Sequence, residues 1–190
     1  MRPRPGLLAA LAALALAAAL GACNDKPPQA PTKPLAPYTG HQVELFDDGM
    51  EPAAVGLDMD KSYHPRGDAL LRERTETADA VVRVRITTVT GKQEDSGSTY
   101  DVGMKVLEKL AGDRPPEGEF TVRVEKSTPS IGLFKSFEGR LVGKELIAFV
   151  RAFAKADGER VIHFHLAPDT KEVRVAVTDA EFDLLQALCE

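Results

Sequence analysis

From residue 80 onward, much of the chain alternates between apolar and polar positions. Apolar side chains recur at every second position in residues 80–90, 98–110 and 119–126, and again at 162–166 and 173–177. A period of two is typical of β-strands with one buried face. Residues 146–153 are apolar except for Arg151, which indicates a central strand. Turn-forming residues separate these segments, and short strands at this spacing predict a small β-barrel or sandwich.

Two helices and one further strand complete the predicted elements. Residues 68–78 predict a short N-terminal helix that Asp68 caps, with Arg72 and Glu76 four positions apart on one face. Residues 42–46 predict a short strand. The fold class predicted from these patterns is mainly β, α+β, with a C-terminal helix.

The C-terminal helix is predicted to begin after Thr178, where Thr178 and Glu181 fit a capping box. Apolar residues then recur at helical spacing, which predicts a stripe that packs on the core. The stripe consists of Phe182, Leu185, Leu188 and Cys189.

Residues 127–137 predict a loop with an apolar character. Ile131, Leu133, Phe134 and Phe137 lie among serine, glycine and lysine without a clear period. One interpretation is an exposed apolar lip that binds a partner or ligand, which makes these four residues candidate binding residues. The interpretation we prefer is a loop folded over one end of the barrel, with Phe134 and Phe137 in the core.

The N-terminal segment has the order of features found in a secretory signal peptide. Arg2 and Arg4 precede an apolar run over residues 6–22, and small residues end the run. The sequence Leu20-Gly21-Ala22-Cys23 resembles the lipobox of bacterial lipoproteins. This resemblance implies that residues 1–22 are removed and that the thiol of Cys23 receives a diacylglyceryl group. Asn24, rather than aspartate, follows the cysteine and favours the outer membrane by the same resemblance.

The resemblance also sets the predicted domain organisation and location. Residues 23–37 form a lipidated, proline-rich tether, and residues 38–190 form a single β-rich domain. Acyl chains on Cys23 predict a protein anchored in the cell envelope, facing the periplasm or the cell surface. The membrane is thus the first predicted partner, through the lipid on Cys23.

The charge of the chain excludes some classes of partner. The formal net charge is −5, and removal of the signal leaves 22 basic and 29 acidic residues. An acidic domain lacks the basic face that nucleic acid requires, and no polybasic segment is present for anionic lipid. After lipidation of Cys23, Cys189 is the only other cysteine, so no internal disulfide is predicted.

Three segments of the middle of the chain resemble small OB-like barrel modules of secreted bacterial proteins. They are residues 78–84, 105–112 and 143–150, whose matches are packing and turn patterns. The resemblance implies a fold, and a fold does not imply a function. The whole chain is also similar to uncharacterised lipoproteins of myxobacterial type, which implies no activity.

His163 and His165 are the candidate metal ligands. Two histidines at i and i+2 on a strand point to the same face, and imidazole suits zinc or copper. A site also needs a third ligand and usually a fourth, for which Asp169 and Glu159 are the candidates. The alternative is an ordinary polar strand face, and no cofactor is predicted.

The sequence carries no catalytic constellation, so we predict a protein that is not an enzyme. The expected function is that of an envelope-anchored lipoprotein whose barrel-like domain binds an envelope protein or a small ligand. The alternative is a solute-binding lipoprotein of a transport system. Such proteins generally place two lobes around a cleft, for which the domain is small.

Overall fold

The structure is a computed structural model that describes residues 35–57, 64–94 and 97–188. All of these residues belong to one compact unit. The predicted signal peptide, Cys23 and residues 23–34 of the tether lie outside the described residues, as does Cys189. Among the helices that the structure does describe, none has the length and apolar character needed to cross a membrane.

A mixed six-stranded sheet forms the centre of this unit and curls into a half-barrel. Neighbouring strands are antiparallel, except that β1 runs parallel to β6. The order across the sheet is β1-β6-β5-β2-β3-β4. The strands are β1 (Gly49–Met50), β2 (Ala80–Glu94), β3 (Gly97–Gly112), β4 (Glu119–Val124), β5 (Glu145–Ala154) and β6 (Arg160–Pro168). The prediction of a mainly β, barrel-like α+β fold is therefore confirmed.

Both faces of the sheet are covered, which explains the apolar run of residues 146–153. The inner face of the half-barrel carries Val82, Val84 and Ile86, as the alternation predicts, and Phe164 from β6. The outer face carries a second core around Phe149. The helices packed there are α1 (His41–Leu45), α2 (Ala69–Thr77) and α4 (Lys171–Ala187). Strand β5 lies between the two cores, so both of its faces are apolar.

Helix α2 agrees with its prediction, whereas residues 42–46 do not. The carboxylate of Asp68 accepts hydrogen bonds from the Leu70 and Leu71 N–H groups, and Arg72 Nε lies 3.1 Å from Glu76 Oε1. The predicted strand at residues 42–46 is wrong, because α1 occupies this stretch. Only Leu45 and Phe46 are fully buried there, at adjacent positions that are consistent with either type of element.

The prediction of a loop at residues 127–137 is wrong from residue 131 onward, where helix α3 (Ile131–Leu141) begins. Phe134 is fully buried in the inner core, and Ile131, Leu133 and Phe137 pack partly buried against it. Gly132 weakens the helical signal of this segment, because glycine is an unfavourable residue inside a helix. The four candidate binding residues therefore share one role in the structure, which is to cover the inner face of the sheet.

The C-terminal helix begins seven residues before its predicted cap, at Lys171. Thr170 caps it by accepting a hydrogen bond from the Val173 N–H. The alternation at residues 173–177 is therefore not a strand: Val173 and Val177 are four apart on the buried face of α4. Since α4 leaves the core after Ala180, the predicted packing of the apolar stripe is wrong for Phe182, Leu185 and Leu188, which are 58%, 54% and 75% exposed.

Candidate functional site

Strand β6 has an edge that is only partly covered by β1. Register pairs join Gly49 to His165 and Met50 to Leu166, so the first half of β6 extends beyond β1. The last contact on this side is at Phe164, whose carbonyl accepts from the Asp48 N–H at 2.9 Å and whose N–H donates to Asp48 Oδ1 at 3.2 Å. These two hydrogen bonds mark the start of an open edge.

The main-chain groups of Arg160 and Ile162 lie on that open edge. In an antiparallel strand, alternate residues direct their N–H and C=O groups to the same side. Phe164 directs its groups away from β5, so Ile162 and Arg160 do the same. Within the described part of the chain, no group forms a hydrogen bond to them on this side. They are unpaired donors and acceptors at the surface.

Strand β4 provides a second open edge, at the other end of the strand order. Val106 N–H donates to the Gly118 carbonyl at 2.8 Å, which sets the alternation for the following residues. The main-chain groups of Thr121 and Arg123 consequently point away from β3. Because the sheet curls, β4 and β6 line the same concavity.

We call this concavity the edge groove and define it by Tyr38, Thr121, Val122, Arg160 and Ile162. Its larger part has a volume of about 1100 Å³ and lies between β4 and the open half of β6. A smaller cavity of about 380 Å³ shares Arg160 and Ile162 and is bounded by Pro115 and Pro116. The two cavities therefore adjoin at Arg160 and Ile162.

The charges of the edge groove differ from those of the whole chain. Arg123 is paired with Glu94 and Glu125, each at 3.0 Å, and Lys155 is paired with Glu159 at 2.7 Å. Arg160, in contrast, forms no ion pair with any residue of the described ranges 35–57, 64–94 and 97–188. An acidic chain thus presents, in the edge groove, a guanidinium with no ion-pair partner among the described residues.

Two aspartate–histidine pairs connect strand β6 to the turn before β1, next to the groove. His163 Nδ1 lies 2.7 Å from Asp48 Oδ2, and His165 Nδ1 lies 2.8 Å from Asp47 Oδ1. The ring of Tyr38 stacks on His163 with centroids 3.5 Å apart and planes 9° from parallel. The two histidines point to the same face, as their spacing predicts. Both contact aspartates of the turn that precedes β1.

The two neighbouring aspartates differ in their electrostatics. Burial raises the pKa of Asp48 above its usual range, despite the hydrogen bonds from His163 and from the Phe164 N–H. Burial also opposes ionisation of Asp47, but the hydrogen bond and charge of His165, with the charge of Arg74, hold the pKa of Asp47 below its usual range. Burial and both carboxylates raise the pKa of Tyr38.

The predicted metal ligands are not brought together. Asp169 pairs with Arg83 Nε at 2.9 Å and with Arg174 Nε at 2.6 Å, and Glu159 pairs with Lys155. Asp169 and Glu159 are therefore wrong as partners of His163 and His165. Across the described residues, no group of three His, Cys, Asp or Glu side chains is placed to hold a metal ion.

Sequence reasoning missed the edge groove because it depends on strand pairing. The signals that exist are unequal strand lengths: β6 has nine residues and its neighbour β1 has two. Nothing in the local pattern of residues 47–50 predicts that they pair with β6. Asp47 and Asp48 are likewise 115 or more positions from the histidines they contact.

No protein-family model matches the chain, and no curated protein matches it. The groove and the N-terminal motif are the two features from which a function is inferred.

Proposed function

We propose that this chain is a lipid-anchored protein of the bacterial cell envelope, facing the periplasm or the cell surface, whose β-rich domain binds an envelope component without catalysis. The N-terminal features support the anchor: two arginines, an apolar run over residues 6–22, and Cys23 after small residues. Diacylglycerol on Cys23 supplies two acyl chains, which is enough for stable attachment to a bilayer. Asn24, in place of an aspartate after the cysteine, supports attachment to the outer membrane.

The edge groove is the observation that carries the binding proposal. It combines apolar side chains with main-chain groups and an arginine that have no partner among the described residues, in one concavity of about 1100 Å³. Such a combination of an apolar surface with a few polar groups is typical of binding sites. The site is open along two strand edges rather than enclosed, which favours an elongated component over a small solute.

The alternative, a solute-binding component of a transporter, has less support. Such proteins generally bury a solute between two lobes, whereas residues 35–188 belong to one compact unit with one sheet. A single half-barrel offers no second lobe to close over a solute. We therefore retain the binding of an envelope component as the proposed function.

The anchor is tested with Cys23→Ser and labelled palmitate in cells. We expect the wild type to incorporate label and to sediment with membranes, and the variant to do neither, because the serine hydroxyl does not replace the thiolate nucleophile. Equal incorporation by both proteins would contradict the anchor.

The binding site is tested by photo-cross-linking in the same cells. A photoreactive amino acid replaces Thr121, which is exposed on the wall of the groove, and in a control replaces Lys135, which is exposed on α3. We expect a discrete adduct from position 121 and none from position 135. Absence of adducts at position 121, or the same adducts at both positions, would contradict binding in the groove.

A further inference from the structure

We infer that the edge groove takes an extended peptide segment of a partner protein, which adds as a strand to β6 and places an acidic side chain against Arg160. This inference rests on the proposed function and specifies the chemistry of the bound component. It is carried by the hydrogen-bonding groups, the side chains and the charge of the groove.

The main chain of the groove provides what an added strand needs. Arg160 and Ile162 on β6, and Thr121 and Arg123 on β4, offer N–H and C=O groups that have no hydrogen-bond partner on the groove side within the part of the chain that the structure describes. An extended segment forms main-chain hydrogen bonds with such an edge, which is the physical basis of strand addition. The bonds that Asp48 makes to Phe164 end the free edge, so the register of an added strand is limited on that side.

The side chains of the groove predict a peptide with apolar residues at every second position. Ile162 and Val122 belong to the inner-face core, while Tyr38 belongs to the outer-face core. Successive side chains of an extended segment point to opposite faces of a sheet. Apolar residues at every second position of the peptide therefore meet Val122 and Ile162.

The charge of the groove predicts an acidic residue in the peptide. Arg160 lines both cavities and has no ion-pair partner among the described residues, in a chain with a net charge of −5. A guanidinium presents several N–H donors in a geometry that matches a carboxylate. A glutamate or aspartate beside the added strand would pair with it.

A second copy of this chain does not suit the groove. The groove lies between two strands, so it admits one extended segment rather than the edge of another folded sheet. Pairing of two copies through β6 alone would use only the short edge before Phe164 and would bring the two Arg160 side chains close together. Like charges on facing strands are destabilising.

The inference is tested with a pool of heptapeptides and the purified full-length protein in detergent. The pool is randomised at every position and is selected for binding to the wild type. We expect enrichment of peptides with apolar residues at alternate positions and one aspartate or glutamate. We expect Arg160→Glu to weaken the best peptide at least tenfold, and the matched charge reversal Lys135→Glu on α3 to change its affinity less than twofold.

A second measurement tests the main-chain hydrogen bonds without altering the protein. The best peptide is resynthesised with N-methyl groups on alternate amides, in two versions that differ in which edge is blocked. We expect the version whose methylated amides face β6 to lose at least tenfold in affinity, because these amides donate to the main-chain carbonyls of β6. Unchanged affinity for both versions, no enrichment, or enriched peptides that bind wild type and Arg160→Glu equally would overturn the inference.

The two tests separate this inference from the proposed function. A cross-link from position 121 with no enriched peptide would overturn strand addition and leave the binding proposal standing. No cross-link from position 121 would contradict the binding proposal itself.

Discussion

At the scale of single residues, Asp47 and Asp48 illustrate how adjacent carboxylates acquire opposite roles. Asp47 accepts hydrogen bonds from His165 and from the Gly49 N–H at 3.1 Å, and its pKa is lowered. Asp48 is more strongly affected by burial, its pKa is raised, and its backbone is left-handed with φ of 54°. Left-handed backbone favours asparagine as well as glycine. One aspartate is therefore stabilised in its charged form, and the other is not.

We predict that Asp47→Asn lowers the free energy of unfolding at pH 7 and that Asp48→Asn does not. Asp47→Asn should lower it by about 1.5–3 kcal/mol, because hydrogen bonds to a charged group are lost. Asp48→Asn should leave it unchanged or raise it, because the buried charge is removed and asparagine still accepts from the Phe164 N–H. Denaturant unfolding of both variants measures the difference, and equal losses would contradict it.

The pH dependence of these differences follows from the two pKa directions. Asp47 contributes stability that is present above its unfolded pKa of about 4 and is lost as the pH falls through its lower folded pKa. The difference between wild type and Asp47→Asn should therefore shrink only below about pH 4. Any gain in the free energy of unfolding from Asp48→Asn should disappear at a higher pH than this. The gain is lost as the pH falls through the raised folded pKa of Asp48 towards about 4. The reverse order would show that the two carboxylates are misassigned.

At the scale of elements, local sequence patterns succeed where an element has one clear periodicity. Strands β2, β3, β4 and β6 follow from alternation, β5 from its continuous apolar run, and helix α2 from its cap. Helix α3 does not, because Gly132 and Gly139 weaken its propensity and burial of Phe134 decides its conformation. The start of α4 is also mispredicted, because Val173, Val175 and Val177 fit a period of two as well as a helix.

For α3, we predict a large difference between its two phenylalanines. Phe134→Ala should lower the free energy of unfolding by about 3–5 kcal/mol, because a fully buried ring is replaced by a cavity. Phe137→Ala should lower the free energy of unfolding clearly less, because this ring is only partly buried and lies against Arg140. Denaturant unfolding provides the measurement, and a near-neutral Phe134→Ala would show that α3 does not cover the inner core.

For α4, we predict that the exposed apolar stripe contributes little to stability. Phe182→Ser should change the free energy of unfolding by no more than about 0.5 kcal/mol, as at an ordinary surface position. Val177→Ser provides the matched comparison, because Val177 lies on the same helix but is fully buried. This variant should be strongly destabilising. Similar losses for the two serine variants would restore the prediction that the stripe packs on the core.

At the scale of the whole molecule, the fold class follows from the sequence but the groove does not. Alternating segments determine a mainly β domain, and covered faces explain the apolar run in β5. The groove arises from long-range pairing: residues 49 and 50 pair with residues 165 and 166, which leaves the first half of β6 without a neighbouring strand on the side opposite β5. His163 and His165 share a face as predicted, yet they bind Asp48 and Asp47 rather than Asp169 or Glu159. Contacts of this range have no local sequence signal.

The open edge of β6 is the feature from which peptide binding is inferred, and amide hydrogen exchange tests it directly. In the free full-length protein, we predict rapid exchange at the Ile162 amide and slow exchange at the Phe164 amide, because only Phe164 donates to Asp48 on that side. On addition of the best peptide, the Ile162 amide should become protected while Phe164 stays unchanged. Protection of Ile162 in the free protein, or no change at Ile162 in the complex, would contradict the account.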